Sequence, residues 1–148
     1  MGTDDEKGSL ALAHEADGAS EDTEAIRMLI ERWAQAVREH DYPGILADHD
    51  PAIVMFDVPP PMRLRGIDAY RRTWDLFFTV HRPSDAFDIL EIEVTAGHDV
   101  AFAVVMMRCG GPSGGRDSYP LDFRLTVGLR KVGGRWRVVH EHHSVPAN

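Results

Sequence analysis

Residues 119–144 read YPLDFRLTVGLRKVGGRWRVVHEHHS. Two β-rich runs, Tyr119–Lys131 and Trp136–Ser144, flank Val132-Gly133-Gly134, a turn signal that ties neighbouring strands into a hairpin. Upstream, Phe87–Thr95 and Val100–Arg108 are separated by Ala96-Gly97-His98-Asp99 in the same way, and the Gly-rich stretch Gly110–Gly115 links the two pairs. Four such strands joined by short connections predict an antiparallel meander.

The first half has a different texture. Ile26, Leu29, Ile30, Trp33 and Val37 recur at spacings of three and four, which predicts a helix capped by Asp22 or Thr23 and ending near His40, where Asp41-Tyr42-Pro43-Gly44 interrupts it. A short second helix is expected from Ile45 to His49, closed by Asp50-Pro51 because proline disfavours helical backbone in the residue before it. Ile53–Val58 is β-branched and short, a strand that the Pro59-Pro60-Pro61 run ends. Ile67–Thr79 is again amphipathic, with Tyr70, Trp74, Phe77 and Phe78 at helical spacing. Helices and one strand first, then four strands, predict an α+β fold: a curved, mostly antiparallel sheet with three N-terminal helices packed on its concave face.

The chain has 148 residues and one cysteine, Cys109, so one domain is expected, with no intrachain disulfide and a reducing, cytoplasmic setting. The net charge is −8, but residues 1–24 hold eight acids and one base and so carry most of it. Residues 1–22 are read as a flexible acidic tail and 23–148 as a single, nearly neutral domain. The sixteen bases, fourteen Arg and two Lys, are scattered rather than clustered, which argues against nucleic acid as a partner. No run approaches the ~18–20 apolar residues of a membrane span, and the start lacks the basic and apolar regions of a signal peptide.

The order of elements, with the residues at its joints, resembles the nuclear transport factor 2-like superfamily in its SnoaL-like and ketosteroid-isomerase-like branches. The matching pieces are the first helix with Trp33, Asp41-x-x-Gly44-Ile45-Leu46, Ile53–Asp57, Gly66-Ile67-Asp68-Ala69-Tyr70-Arg71 and the closing Gly134–Ser144 run, which also looks like the end of the association domain of calcium/calmodulin-dependent kinase. The resemblance implies a cone-shaped pocket for a small apolar molecule and a homodimer formed by the outer sheet face. It also implies relatives with roles in polyketide or antibiotic biosynthesis, and the Arg-rich, Lys-poor composition fits a GC-rich bacterium. Fold alone does not settle function, since one scaffold serves isomerases, cyclases, dehydratases, binding proteins and assembly modules.

Asp57 falls where the ketosteroid isomerases keep their proton-shuttling carboxylate; it reads either as that base or as a strand-end carboxylate bound by the backbone of the proline loop. The rest of the isomerase machinery is replaced: the resemblance puts Trp33 and Trp74 at the two phenol positions and, approximately, Thr126 at the carboxyl. A hydroxyl is a weaker donor and an indole cannot release its proton, so steroid isomerisation is not expected. In the final strand, period-two alternation separates Trp136, Val138, His140 and His142 from Arg137, Val139, Glu141 and His143, and the resemblance places the second set toward the pocket. Glu141 and His143 thus join Asp57 as candidate proton-transfer groups, or form a structural hydrogen-bonded pair. Trp33, Val37, Phe56, Tyr70, Trp74, Phe78, Thr126 and Val139 are the expected pocket lining. His140 and His142 lack a third ligand of matching geometry, so no metal is expected, and any reaction would be cofactor-free. The rival reading is a non-catalytic homo-oligomeric assembly or ligand-sensing module.

Overall fold

The computed structural model describes residues 3–83, 85–111 and 120–147, with side chains from Ser20 onward. The elements are α1 (Thr3–Arg38), α2 (Tyr42–Leu46), β1 (His49–Phe56), β2 (Leu64–Arg65), α3 (Ile67–Phe77), β3 (Ala86–Ala96), β4 (Val100–Gly110), β5 (Leu121–Val132) and β6 (Arg135–Ser144). The strands form one open sheet in the order β2-β1-β6-β5-β4-β3. β3 to β6 make the expected antiparallel meander, while β1 lies parallel to β6. The architecture is α+β.

One face of the sheet is apolar because each strand alternates. Ala101, Ala103, Val105 and Met107 of β4 are buried and sit opposite Leu129, Val127, Leu125 and Phe123 of β5. Against them packs the α1 stripe of Ile26, Leu29, Ile30, Trp33 and Val37, together with Tyr70 and Trp74 of α3. Burying side chains of this size contributes roughly 1.5–3 kcal/mol each. The turn between α1 and α2 is tight: His40 takes φ 55°, and a Cβ on Gly44 would come within 2.7 Å of Ala36 Cβ and of Asp41 Oδ2, so only glycine fits there.

Four features differ from the sequence reading. α1 begins at Thr3 rather than at Asp22 or Thr23, and the preceding stretch contains no proline to stop a helix. Asp22 is no cap either, since its carboxylate accepts from Trp136 Nε1 (3.0 Å) and pairs with Lys131 (2.9 Å), tying α1 to the β5–β6 hairpin. The short second helix stops at Leu46, and His49, Asp50 and Pro51 belong to β1. The strand tolerates Pro51 where its pairing with β6 is irregular, between His49 and Val54. β2, only two residues long, completes the edge of the sheet beside β1.

The fourth difference is a bulge in β6. Leu129 pairs with Val138 but Gly128 with His140, leaving one extra residue on β6. The alternation therefore slips by one at Val139. Trp136 and Val138 face inward before the slip, Glu141 and His143 after it, and all four are buried. The sequence reading had put the two pairs on opposite faces.

Candidate functional site

The inward slip of β6 delivers a carboxylate into the apolar core. Glu141 is 1% exposed and receives three hydrogen bonds. Its Oε2 accepts from Tyr70 Oη of α3 (2.7 Å) and from His49 Nε2 of β1 (2.7 Å), and its Oε1 accepts from His143 Nε2 (2.9 Å). Trp33 of α1 donates its indole N–H to the same Tyr70 oxygen at 2.9 Å. Two helices and two strands thus converge on one side chain.

Electrostatics follow from that geometry. Burial alone works to raise the Glu141 pKa, but the hydrogen bonds and charge supplied by His143 and His49 outweigh it and hold the carboxyl at about 2. Tyr70 moves the other way: burial, then the neighbouring Glu141 charge, push its phenol well above the usual range, so it remains a neutral donor.

His143 stands between this network and open space. Its ring is stacked on Phe123 (centroids 5.8 Å apart, 10° between planes) and meets the edges of Trp33 and Trp74. Its Nδ1 makes no hydrogen bond to any described residue and is not among the sealed polar atoms; Trp74 Nε1 alone is both sealed and unpartnered among the described residues. His143 forms part of the wall of a cavity of about 350 Å³, together with Asp57, Trp74, Phe87, Cys109 and Phe123. The mouth is ringed by Val58, Leu76, Val80 and Leu121, which are 46–70% exposed. Three ionisable groups, His143, Asp57 and the Cys109 thiol, whose pKa burial raises, therefore border an otherwise largely apolar space, and the first two make an arrangement suited to moving a proton on a bound molecule.

The structure redistributes the expected residues. Asp57 lies just beyond β1, on the cavity wall, and its Oδ1 also accepts from the Val58 N–H at 2.8 Å. Glu141 is behind His143 rather than on the wall, and acts on the cavity only through that ring. Of the expected lining, Trp74 borders the cavity. Trp33, Val37 and Tyr70 are core residues, filled in by α1 and α3. Phe56 points to the other side of the sheet, against His140 and His142. Phe78 stacks on His40 at the end of α1. Thr126 is exposed on the outer face opposite His142, and Val139 is the bulge residue, so neither lines the cavity. His140 is occupied by the Val54 carbonyl through Nδ1 (2.7 Å). The Gly-rich connection lies outside the described residues from Pro112 to Tyr119.

His49 is the site residue that sequence reasoning missed. Only its pairing across from Val138, a contact far away in the chain, brings it beside Glu141.

Comparison with known proteins agrees with this architecture. The family model described as SnoaL-like domain matches residues 26–148. An NTF2-like protein of unknown function from Pseudomonas putida KT2440 is 38% identical, with a TM-score of 0.77 over 90% of this chain and 89% of that one. An NTF2-like family protein from Streptomyces avermitilis, provisionally assigned as a dehydratase, is 16% identical with a TM-score of 0.73, covering 86% of this chain and 99% of its own. The association domain of the C. elegans kinase CaMKII is 18% identical with a TM-score of 0.69, over 87% and 99%. No curated protein matches in sequence.

Proposed function

The chain belongs to the SnoaL-like family of the NTF2-like superfamily, and from that premise we propose that its cavity binds a small, largely apolar carbonyl compound and moves a proton on it without a cofactor. The observation that carries this reading is the His143 ring, fixed by Glu141 through Nε2 and bordering the same cavity as Asp57. A base at Nδ1 of His143, or at the Asp57 carboxylate, takes a proton from the carbon next to the carbonyl, and the electron pair passes to the carbonyl oxygen. Returning the proton to the γ-carbon of a β,γ-unsaturated ketone completes an isomerisation; attack of the enolate carbon on a second carbonyl carbon of the same molecule, whose oxygen then takes the proton, completes a cyclisation. Loss of a β-hydroxyl, protonated as it leaves, completes a dehydration. His143, Asp57 and the positioning carboxylate Glu141 are the residues assigned to this chemistry. Tyr70, whose phenol is committed to Glu141, and Thr126, on the outer face, supply no oxyanion donor, which separates this site from steroid isomerisation.

Cys109, the single cysteine, gives a direct binding test because it borders the cavity. Alkylation of its thiol should slow in the presence of apolar ketones by a factor of 1 + [L]/Kd, about tenfold at ten times Kd. Carboxylate analogues of the same size should protect less, since Asp57 repels them. Alkylation at one rate whatever is added would contradict ligand binding.

The second part of the reading concerns self-association. Phe102 and Val104 of β4 are exposed on the outer face of the sheet, which fits burial against a second copy in a homodimer, with the assembly-module alternative differing only in whether the cavity is used. Light scattering of Val104→Glu tests it: the expected result is a monomer, and an unchanged mass would contradict that face as the interface.

A further inference from the structure

His49 is 8% exposed overall, its side chain only 1%, and it has no place on the cavity wall, yet both of its ring nitrogens face acceptors. Nδ1 lies 2.8 Å from the Ala47 carbonyl oxygen, which can only accept, so Nδ1 carries a proton. Nε2 lies 2.7 Å from Glu141 Oε2 and 3.1 Å from Tyr70 Oη. Tyr70 already donates its one proton to Glu141 and accepts from Trp33. A lone pair on Nε2 would therefore face an ionised oxygen. A proton there satisfies every partner.

We propose that His49 is a positioning residue that sets the protonation of the site: held as an imidazolium against the Glu141 carboxylate, it cancels the charge behind His143 and leaves the His143 ring neutral, with an unprotonated Nδ1 open to the cavity. The reason is electrostatic. A lone buried carboxylate hydrogen-bonded to His143 Nε2 would draw a second proton onto that ring, turning a base into an acid. With His49 charged, Glu141 orients the ring and fixes its tautomer at little electrostatic demand, as a carboxylate or carbonyl bonded to the far ring nitrogen does for functional histidines generally. The groups facing this cluster are Trp33 from α1, Tyr70 from α3, His49 from β1 and Glu141 from β6, with Asp57 across the cavity wall from His143. This inference rests on the reading of His143 as the proton-transfer group, but its test needs no ligand.

Long-range ¹H–¹⁵N correlation of histidine-labelled protein at neutral pH reports each ring nitrogen, with His49→Gln and His143→Gln supplying assignments. Wild type should show His49 protonated at both nitrogens, and His143 protonated at Nε2 only. In folded His49→Gln, the His143 Nδ1 signal should move to the protonated position. In His49→Gln/Glu141→Gln, which buries no charge, it should return. A purely structural His49 would leave the His143 tautomer unmoved across the series. An unprotonated His49 nitrogen in wild type, or no change at His143 in the single variant, overturns the proposal. If His49→Gln does not fold, the wild-type spectrum and the double variant still decide it. Failure of ligand protection at Cys109 with this protonation pattern intact would count against the proposed function alone.

Discussion

Two histidine pairs pack against α3 and the residue that follows it, one pair buried and the other partly exposed at His40, and they differ in one group. In the first, His49 and His143 flank Glu141, whose two oxygens each take a ring N–H. In the second, His40 Nε2 meets His81 Nδ1 at 2.9 Å, and His81 Nε2 reaches only the Asp85 backbone carbonyl, at 3.2 Å. Phe78 stacks on His40 and Phe77 on His81, while the Asp85 carboxylate is engaged by the Arg82 N–H. Burial first, and for His40 also its neighbour's charge, pushes both of these pKa values below 6.5. A carboxylate on the ring nitrogens makes a buried imidazole pair a charge store; a carbonyl in its place makes a neutral latch.

The comparison can be broken most forcefully at its odd member. Glu141→Gln leaves His49 with no counterion and should lower unfolding free energy by about 3–5 kcal/mol, read from urea titration. A loss below 1 kcal/mol would show that the network holds no buried charge. His81→Phe, which keeps the aromatic packing but removes the link to His40, should cost about 1–2 kcal/mol by the same method. The pH dependence sharpens the comparison further. His40 and His81 are depressed in the folded state, so their contribution is complete above 6.5 and is lost as pH falls below it. Glu141, depressed from 4.5 to about 2, contributes fully above 4.5 and loses its share as pH drops toward 2. Thermal midpoints should thus decline in two separated arms on acidification, and His81→Phe should flatten the upper arm while sparing the lower.

Much of this was legible in the chain. The apolar spacing from Ile26 to Val37, the β-branched runs and the Gly133-Gly134 turn predict the helices, the strands and the meander, because local periodicity reports which face is buried. Asp57 and His143 were singled out through the resemblance to the ketosteroid isomerases, and both border the cavity. What escaped is non-local. His49 was assigned to a helix because Pro51 looked like a stop; only parallel pairing with β6 keeps that stretch extended. The bulge at Val139 reversed the facing of half a strand without any glycine or proline to announce it. Tyr70 and Trp33 were read as pocket wall, although their polar atoms are spent on Glu141 and each other.

The central claim is that His143 and Asp57 move a proton on a ligand in the cavity. Hydrogen–deuterium exchange at the carbon next to the carbonyl of apolar ketones, followed by NMR in neutral D2O, measures that step without requiring the natural substrate. The wild-type protein should exchange faster than buffer for ketones that protect Cys109, and His143→Gln or Asp57→Asn should lower that rate by about 10²–10⁴-fold for whichever is the base. Exchange at the buffer rate for every protecting ketone, or wild-type rates in both variants, would contradict the account.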